Sequence, residues 1–238
     1  MNYSKFSIGL RVDGVVYNGI DLDLFPLQIQ KQDYLLWLGR LSGIKGTDLA
    51  VQVARRTKRP LIVAGEIHNL HKEFFETKIN PFVTHRVRDE TDRNFLLEQI
   101  ASGEEVIYES EILFIGPVDD KQKAILYGNA YATLQPNRWK EPFGLVPVES
   151  MACGTPVIVT NRGALPELVI EGKTGFVVES QKGKEIDDET IIEETIGALR
   201  NIPGLNPEEC RQHIQRNFSI EQMTQNYIKI YQSYQHQL

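Results

Sequence analysis

The sequence has very little cysteine, since its 238 residues include only two, Cys153 and Cys210. Two cysteines cannot build a disulfide scaffold, which excludes the class of small, disulfide-rich secreted domains. Cys153 stands at the end of an apolar helical stretch, and we interpret it as a buried small residue rather than a nucleophile.

Long apolar runs are also missing. No stretch approaches the ~18 consecutive apolar residues that a membrane-spanning helix requires. The first residues, Met1 to Lys5, lack the apolar core of a secretory signal peptide. A cytoplasmic protein is therefore expected.

Positive charge is in deficit, because 26 Lys and Arg residues face 32 Asp and Glu residues, for a formal net charge of -6. General nucleic-acid binding needs a basic face that neutralises phosphates, so we predict no nucleic-acid partner. A local basic pocket is still compatible with this charge. The sequence also has no internal repeat and no low-complexity segment.

Clusters of metal-ligating residues are scarce. Asp21-Leu22-Asp23 has the D-x-D spacing with which paired carboxylates hold Mn or Mg on a diphosphate. It stands outside the strand pattern, however, and we interpret it as a coincidence. His68 and His71 could share a helix face, but no third ligand stands in register with them. We predict no metal site.

The sequence does contain a regular alternation of short apolar runs and helical stretches from residue 34 onward. The runs do not alternate with polar residues, which favours strands buried on both faces. Strands separated by helices indicate an α/β fold, a Rossmann-like doubly wound parallel sheet. The predicted strands are residues 34–39, 60–65, 112–116, 131–134, 156–159 and 174–178, and the predicted helices are 47–58, about 120–128 and most of the chain from 188. The charged region 78–109 predicts only a solvated excursion that is partly helical.

In such a sheet, ligands bind beyond the carboxyl ends of the strands. Gly39-Arg40, Gly65-Glu66, Gly116-Pro117 and the loop before Glu141 all stand at such ends. We expect these segments to converge on one cleft.

The most informative stretch is a polar loop that leads into a short helix. Pro142 disfavours helical geometry at the residue before it, which places Glu141 in the loop. Pro147 suits the first turn of a helix, which places Glu149 inside that helix. Gly144 opens the helix, where backbone amides and the helix dipole can hold an anion. Each acid alone could be a plain surface residue, but together they suit a ligand with phosphate and hydroxyl groups, such as a sugar nucleotide.

A second segment, Gly39 to Thr47, joins the first strand to the first helix. It lacks the Walker pattern of phosphate-binding loops, because Ile44 stands where that pattern requires glycine. Arg40 and Lys45 could together neutralise a diphosphate, one with a planar guanidinium and the other with a point charge. A strand-to-helix turn with two solvated cations explains the residues equally well.

The loop and helix around Glu141 and Glu149 closely resemble the Glu-x7-Glu signature of retaining glycosyltransferases of the two-domain GT-B type, in the large family 4. Only Ser150, where that family usually has alanine, departs noticeably from the pattern. The spacing of Arg40 and Lys45 resembles the family's G-R-x-x-x-x-K-G segment. The resemblance extends over roughly residues 15 to 180.

This resemblance implies a role for each matching residue. Glu141 would be the catalytic residue, beside the donor sugar. The residues expected to bind the sugar are Glu141, Phe143 and Gly144. Those expected to bind the donor diphosphate are Arg40, Lys45, Gly144 and Leu145. Glu149 would bind the ribose, and the backbone at Val118 would contact the base. No cofactor is implied beyond the substrate, a nucleotide sugar such as a UDP- or GDP-hexose.

The segment Tyr17 to Asp21 resembles the family's N-G-I-D segment, which links the two domains. It implies that residues 1–20 are a remnant of the interdomain segment and that residues 21–238 form the nucleotide-sugar-binding domain, the C-terminal half of a GT-B fold. The N-terminal acceptor domain would then be absent, and the isolated chain would be nearly inactive. The implied partners are the donor and that domain, with peripheral membrane association of the full enzyme.

The expected function is therefore retaining transfer of a hexosyl group to an acceptor that the sequence does not specify. The alternative from another class is a non-catalytic module of the same fold that binds a nucleotide or a partner. A GT-B phosphorylase or a sugar-nucleotide epimerase is a second rival, but the pyridoxal-anchoring lysine motif of a phosphorylase is missing.

Near the C-terminus, apolar and aromatic residues repeat at helical spacing, which is typical of a helix face turned toward the core. Part of this stripe could be unburied and promote self-association. Its members are Ile220, Met223, Tyr227, Ile230, Tyr231 and Tyr234.

Overall fold

The computed structural model describes residues 14–178 and 187–235, without the side chains of residues 234 and 235. Within these ranges, seven strands form one sheet in the order β3-β4-β2-β1-β5-β6-β7, and every neighbouring pair is parallel. The predicted doubly wound α/β fold is confirmed. The strands are β1 (Leu35–Leu38), β2 (Leu61–Ala64), β3 (His85–Arg86), β4 (Ile112–Gly116), β5 (Ala132–Gln135), β6 (Val157–Thr160) and β7 (Gly175–Val178).

The chain order of the strands reverses at the centre of the sheet. β2, β4 and β3 extend it on one side of β1, whereas β5, β6 and β7 extend it on the other. The crevice between β1 and β5 is thus the topological switch point, where open parallel sheets bind their ligands.

Helices cover both faces of this sheet. They are α1 (Thr47–Thr57), α2 (Lys72–Phe74), α3 (Glu90–Ser102), α4 (Asp120–Asn129), α5 (Leu145–Ala152), α6 (Leu165–Leu168), α7 (Asp188–Leu199), α8 (Pro207–Asn217) and α9 (Ile220–Gln235). Polar residues define where several of them begin. In α4, for example, the side chain of Asp119 accepts a hydrogen bond from the amide of Gln122, and the side chain of Gln122 bonds back to the amide of Asp119.

Because successive side chains of a strand point to opposite faces, the strands supply two hydrophobic cores. Leu35 and Trp37 of β1 face a core shared with α1 and α7, whereas Leu36 faces a core shared with α3, α4, α5 and α8. The predicted apolar face of α1 is fully buried: Leu49, Ala50, Val53 and Ala54. Both cysteines are buried as well, which confirms the interpretation of Cys153 as a core residue.

The charged region 78–109 contains more regular structure than the sequence predicts. It holds the edge strand β3 and the whole of α3, whose Leu97 and Ile100 are buried against the sheet. The strand escapes sequence analysis because it has only two residues, both exposed and basic. Much of α3 is polar and exposed, so its few buried positions produce no clear apolar pattern in the sequence.

The core-facing interpretation of the C-terminal stripe is wrong for much of α9. Tyr227 is 44% exposed and Tyr231 is 63% exposed, while only Met223 and Ile230 of the described stripe are half-buried. The reason is that α9 packs mainly on α8 and the segment near Gly14 rather than on the strands. The expectation that part of the stripe is unburied is confirmed, and the side chain of Tyr234 lies outside the described residues.

The segment that resembles an interdomain link packs against the domain from Gly14 onward, and residues 1–13 of the predicted remnant lie outside the described residues. Tyr17 contacts the rings of Phe143 and Phe218, with centroids 6.3 and 5.5 Å away. Asp21 caps a short 3-10 turn by accepting a hydrogen bond from the Asp23 amide, which explains the D-x-D spacing locally.

Two features are absent from the described residues. No group of three or more His, Cys, Asp and Glu side chains in the described ranges could hold a metal ion. Among the helices of those ranges, none is long and apolar enough to cross a membrane.

Candidate functional site

A cavity of about 310 Å³ opens at the carboxyl ends of β1 and β5, at the switch point of the sheet. Six of the eight predicted site residues line it: Arg40, Lys45, Glu141, Phe143, Gly144 and Leu145. Asn18 and Gln135 contribute to its wall as well. A larger cavity of about 580 Å³, between the segment near Tyr17 and the last two helices, contains none of the predicted site residues.

The centre of the cavity is an ion pair between Lys45 and Glu141. The ammonium of Lys45 lies 2.6 Å from Oε2 of Glu141, and both side chains are largely buried. The same oxygen also accepts hydrogen bonds from Nδ2 of Asn137, at 3.2 Å, and from Nε1 of Trp139, at 3.1 Å. Three donors therefore hold Oε2, whereas Oε1 has no hydrogen-bond partner among the residues that the structure describes.

The indole of Trp139 contributes a second contact to this centre. Nζ of Lys45 lies 4.6 Å from the centroid of its ring, within the range of a cation–π interaction. Trp139 thus contacts both partners of the ion pair, and sequence analysis did not identify it as a site residue.

Arg40 lies directly after β1, at the rim of the cavity. Its side chain is exposed, and its guanidinium makes no ion pair with any residue of the described ranges. A cation at a cavity rim without a protein counter-charge is available to an anionic ligand.

Gly46 allows the turn that carries Lys45 to lie against the loop before Glu141. Its φ is +69°, and a Cβ built on it would lie only 1.9 Å from the carbonyl oxygen of Pro136. Only glycine fits this position without moving backbone. This close approach brings Lys45 and Glu141 together although 96 residues separate them in the chain.

The helix α5 begins at the floor of the cavity, directly after Gly144. Gly144 has a φ of +109°, and no side chain from the described part of the protein caps the helix there. Its first amide groups, at Leu145 and Val146, are contributed by residues of the cavity wall. The N-terminus of α5 can therefore hold an anion inside the cavity.

Glu149 lies in α5 as predicted, but it does not line this cavity. Its side chain is almost fully buried toward α4. Oε1 lies 3.2 Å from the ammonium of Lys123, and Oε2 accepts a hydrogen bond from the hydroxyl of Tyr127 at 3.0 Å. Burial raises the pKa of Glu149, although Lys123 and Tyr127 partly offset this effect.

Val118 does not line the cavity either. It follows β4 and packs, half-buried, beside the core that α4 covers. The predicted convergence of strand ends is partly realised: the Gly65 amide donates to the Gly116 carbonyl at 2.8 Å, and the Gly39 amide donates to the Ala64 carbonyl at 3.1 Å. Of these strand ends, Gly39-Arg40 and the Glu141 loop meet in the cavity.

Ser150, the one noticeable departure from the family signature, has a structural explanation. Its buried hydroxyl donates to Oγ1 of Thr133, at 2.8 Å, and lies 3.1 Å from the carbonyl oxygen of Thr155. These bonds tie α5 to β5 and leave the cavity unaffected.

Comparison with known proteins is consistent with this geometry. The family described as glycosyl transferases group 1 matches residues 21–193 of this chain. The chain belongs to the glycosyl transferases group 1 family. A relative in Klebsiella pneumoniae, described as an uncharacterized 41.2 kDa protein in the cps region, is 30% identical over 231 residues, which are 92% of this chain and 55% of the relative.

Two solved structures share the fold of this family member. AviGT4, a glycosyltransferase involved in avilamycin A biosynthesis, superimposes with a TM-score of 0.66 at 24% identity, over 92% of this chain and 57% of that protein. Alr3699/HepE of Anabaena, solved in complex with UDP and glucose, gives a TM-score of 0.63 at 19% identity, over 92% and 56% of the two chains. The sheet and its helices thus have the fold of one of the two domains of a GT-B protein. The chain spans between 55% and 57% of the length of these three proteins.

Proposed function

We propose that this chain is the donor-binding domain of a retaining glycosyltransferase of family 4, which transfers a hexosyl group from a nucleotide-diphosphate sugar. The observation that carries the proposal is the meeting of Arg40, Lys45 and Glu141 in one cavity with the N-terminus of α5. Membership of the family supports the transferase reaction. The complex of Alr3699/HepE with UDP and glucose supports a nucleotide-sugar donor.

The hard step of such a reaction is departure of the nucleotide diphosphate while positive charge develops on the sugar. Arg40, Lys45 and the amides at Gly144 and Leu145 would stabilise the negative leaving group. Charge that is preorganised around a leaving group is usually the largest catalytic contribution. No metal ion or cofactor has a part in this proposal.

Glu141 would bind the sugar and stabilise its positive charge. Its Oε2 is held by three donors. Oε1 is left to accept a hydrogen bond from a sugar hydroxyl beside Phe143 and Gly144. We assign Glu141 this electrostatic and binding role, and do not assign it the role of a covalent nucleophile.

Glu149 and Val118 would bind the nucleoside outside the cavity. Each carboxylate oxygen of Glu149 has one partner, so each keeps a lone pair for a ribose hydroxyl. The side chain of Val118 carries no polar group, so contact with the base would come from its backbone.

Acceptor binding is assigned to a second domain that precedes residue 21 in the complete enzyme. Cytoplasmic location, peripheral membrane association of that enzyme and self-association through α9 also stay predictions. The exposed rings of Tyr227 and Tyr231 support the last of these.

The donor site is tested by calorimetric titration of the chain with UDP-glucose and GDP-mannose. The double variant Arg40→Ala/Lys45→Ala removes both cations of the cavity. A hydrogen bond to a charged group contributes about 1.5–3 kcal/mol, so loss of both should weaken binding by about 100-fold or more. The control, Lys78→Ala/Arg200→Ala, removes the same charges from exposed positions outside the cavity.

Equal donor affinity in the cavity variant and the control would refute the site. Catalysis is then tested separately, by joining the chain to the N-terminal half of a group 1 relative and assaying transfer with each donor. Donor binding without transfer by such a complete protein would favour the non-catalytic alternative.

A further inference from the structure

Arg138 lies between Asn137 and Trp139 in the sequence, and both of these neighbours donate hydrogen bonds to Glu141. The side chain of Arg138, in contrast, points away from that carboxylate. Its guanidinium donates to both carboxylate oxygens of Asp48 on α1, at 2.8 and 2.7 Å, and to both of Asp188 on α7, at 2.8 Å each. Its remaining N–H group donates to the carbonyl oxygen of Gly43, at 2.5 Å. All five donors of the guanidinium are therefore used.

These contacts connect the two segments that carry the central ion pair. The Gly43 carbonyl belongs to the 3-10 turn that ends at Lys45. The backbone amide of Arg138 donates to the Ile44 carbonyl in the same turn, at 2.9 Å. Arg138 thus forms hydrogen bonds to the Lys45 turn with both its side chain and its backbone. The loop that contains Arg138 continues to Glu141.

We propose that Arg138 is a positioning residue of the donor site, which sets Lys45 against Glu141 and Trp139. The expected effect on donor binding rests on the proposed function. The positioning of Lys45 against Glu141 and Trp139 does not. The two carboxylates fix the guanidinium relative to α1 and α7. The Glu141 loop is therefore anchored to α1, which follows the Lys45 turn, and to α7, which packs on α1.

Lysine cannot replace arginine here. An ammonium has three donors and no planar fork, so it cannot serve two carboxylates in a bidentate manner and a carbonyl at once. Arg138→Lys keeps the charge and removes the fork. It should loosen the loop without unfolding the domain.

The chain offers a matched control. Arg56 also joins α1 to α7, through Glu189 and Glu193, but it lies on the exposed outer side of these helices and contacts neither segment of the site. Arg56→Lys therefore removes an arginine fork from the same pair of helices. A milder pair of variants is Asp188→Asn, which removes one partner of Arg138, and Glu189→Gln, which removes one partner of Arg56.

The first measurement is acrylamide quenching of tryptophan fluorescence, which needs no ligand. Trp37 is fully buried, so quenching reports on Trp139, the other of the two tryptophans. Arg138→Lys and Asp188→Asn should raise the quenching constant, because a loosened loop exposes the indole. Arg56→Lys and Glu189→Gln should leave it at the wild-type value.

The second measurement is calorimetric titration with UDP-glucose. Arg138→Lys should bind about tenfold more weakly than Arg56→Lys, since the charge-assisted contact of Lys45 is misplaced. Unchanged quenching in both Arg138→Lys and Asp188→Asn would overturn the positioning role. So would equal affinity of the Arg138 and Arg56 variants for a donor that the wild type binds. If the wild type binds no donor, the proposed function fails and the quenching result still decides the positioning role.

Discussion

Lys31 contacts the C-terminal end of α5, the helix whose N-terminus lies at the cavity. The cost of burying this lysine can be tested quantitatively. Its ammonium donates to the carbonyl oxygens of Gly128, at 2.8 Å, and Cys153, at 3.1 Å, and to Oγ1 of Thr155, at 2.7 Å. These groups stand at the C-terminal ends of α4 and α5, where the helix dipole favours a cation. None of the three is a carboxylate, so the desolvated charge has no counter-ion among the residues that the structure describes.

This burial lowers the pKa of Lys31 from its ordinary value of 10.5 to about 8. The unfolded chain then binds more protons than the folded protein between these two values, so stability must rise with pH in that window. The penalty is fully present below pH 8, decreases as pH rises from 8 toward 10.5, and is absent above 10.5. Integration of the two titration curves gives a rise of about 1 kcal/mol between pH 7 and pH 9.

The assay is urea unfolding of the wild type and of Lys31→Met at pH 7 and at pH 9, followed by circular dichroism. The free energy of unfolding of the wild type minus that of the variant should increase by about 1 kcal/mol from the lower to the higher pH. Burial raises the pKa of the Cys153 and Cys210 thiols to about 12 each, which lowers stability in alkali. Both proteins carry these thiols, so their effect cancels in the difference.

Lys121→Met serves as the control, because it removes an exposed ammonium from α4. An exposed charge loses little hydration on folding, so its difference from the wild type should be nearly the same at both pH values. A flat difference for Lys31→Met as well would refute the reasoning, since it would show that the Lys31 ammonium is not penalised by its surroundings.

Two further predictions concern α5. Gly144→Ala should lower stability by about 1–3 kcal/mol in urea unfolding, because its φ of +109° strains a side chain and the new Cβ would meet a neighbour at 2.9 Å. Gly103→Ala, with a φ of +85° and open space around it, should cost only the backbone strain, and equal losses would contradict this account. Burial raises the pKa of Glu149, so the folded protein binds the extra proton and stability falls as pH rises above the ordinary value of 4.5. Glu149→Gln should therefore gain stability relative to the wild type between pH 4 and pH 7, and a relative loss would show that Lys123 and Tyr127 outweigh the burial.

The strands at the centre of the sheet were predictable because they are short, apolar and buried on both faces. β4 has the predicted bounds, and β1, β2 and β5 differ from the prediction by one residue at either end. The edge strand β3 is neither apolar nor buried. Its exposed side chains give no pattern, although its backbone pairs with β4. The core-facing prediction for the last helix was wrong for a different reason. Its apolar residues do repeat at helical spacing, but this spacing does not say whether another surface packs against them.

The candidate site was predictable where its residues match the family motifs. The resemblance indicated Arg40, Lys45 and Glu141, which taken singly have ordinary explanations, and the structure brings them into one cavity. Asn137 and Trp139 gave no such signal, because a neutral donor in a loop has many ordinary explanations. Their hydrogen bonds to Glu141 form within one loop, and the sequence does not say which way the loop turns these side chains.

Three donors on one oxygen of Glu141 have a consequence for how the site could accommodate a diphosphate. If Lys45 turns toward a phosphate, Glu141 loses its 2.6 Å ion pair but keeps the neutral hydrogen bonds from Asn137 and Trp139. These two bonds can hold the carboxylate in place and preserve the orientation of Oε1 toward the cavity. The lysine can thus be shared between the acid and a ligand, because the acid does not depend on the lysine alone for its position.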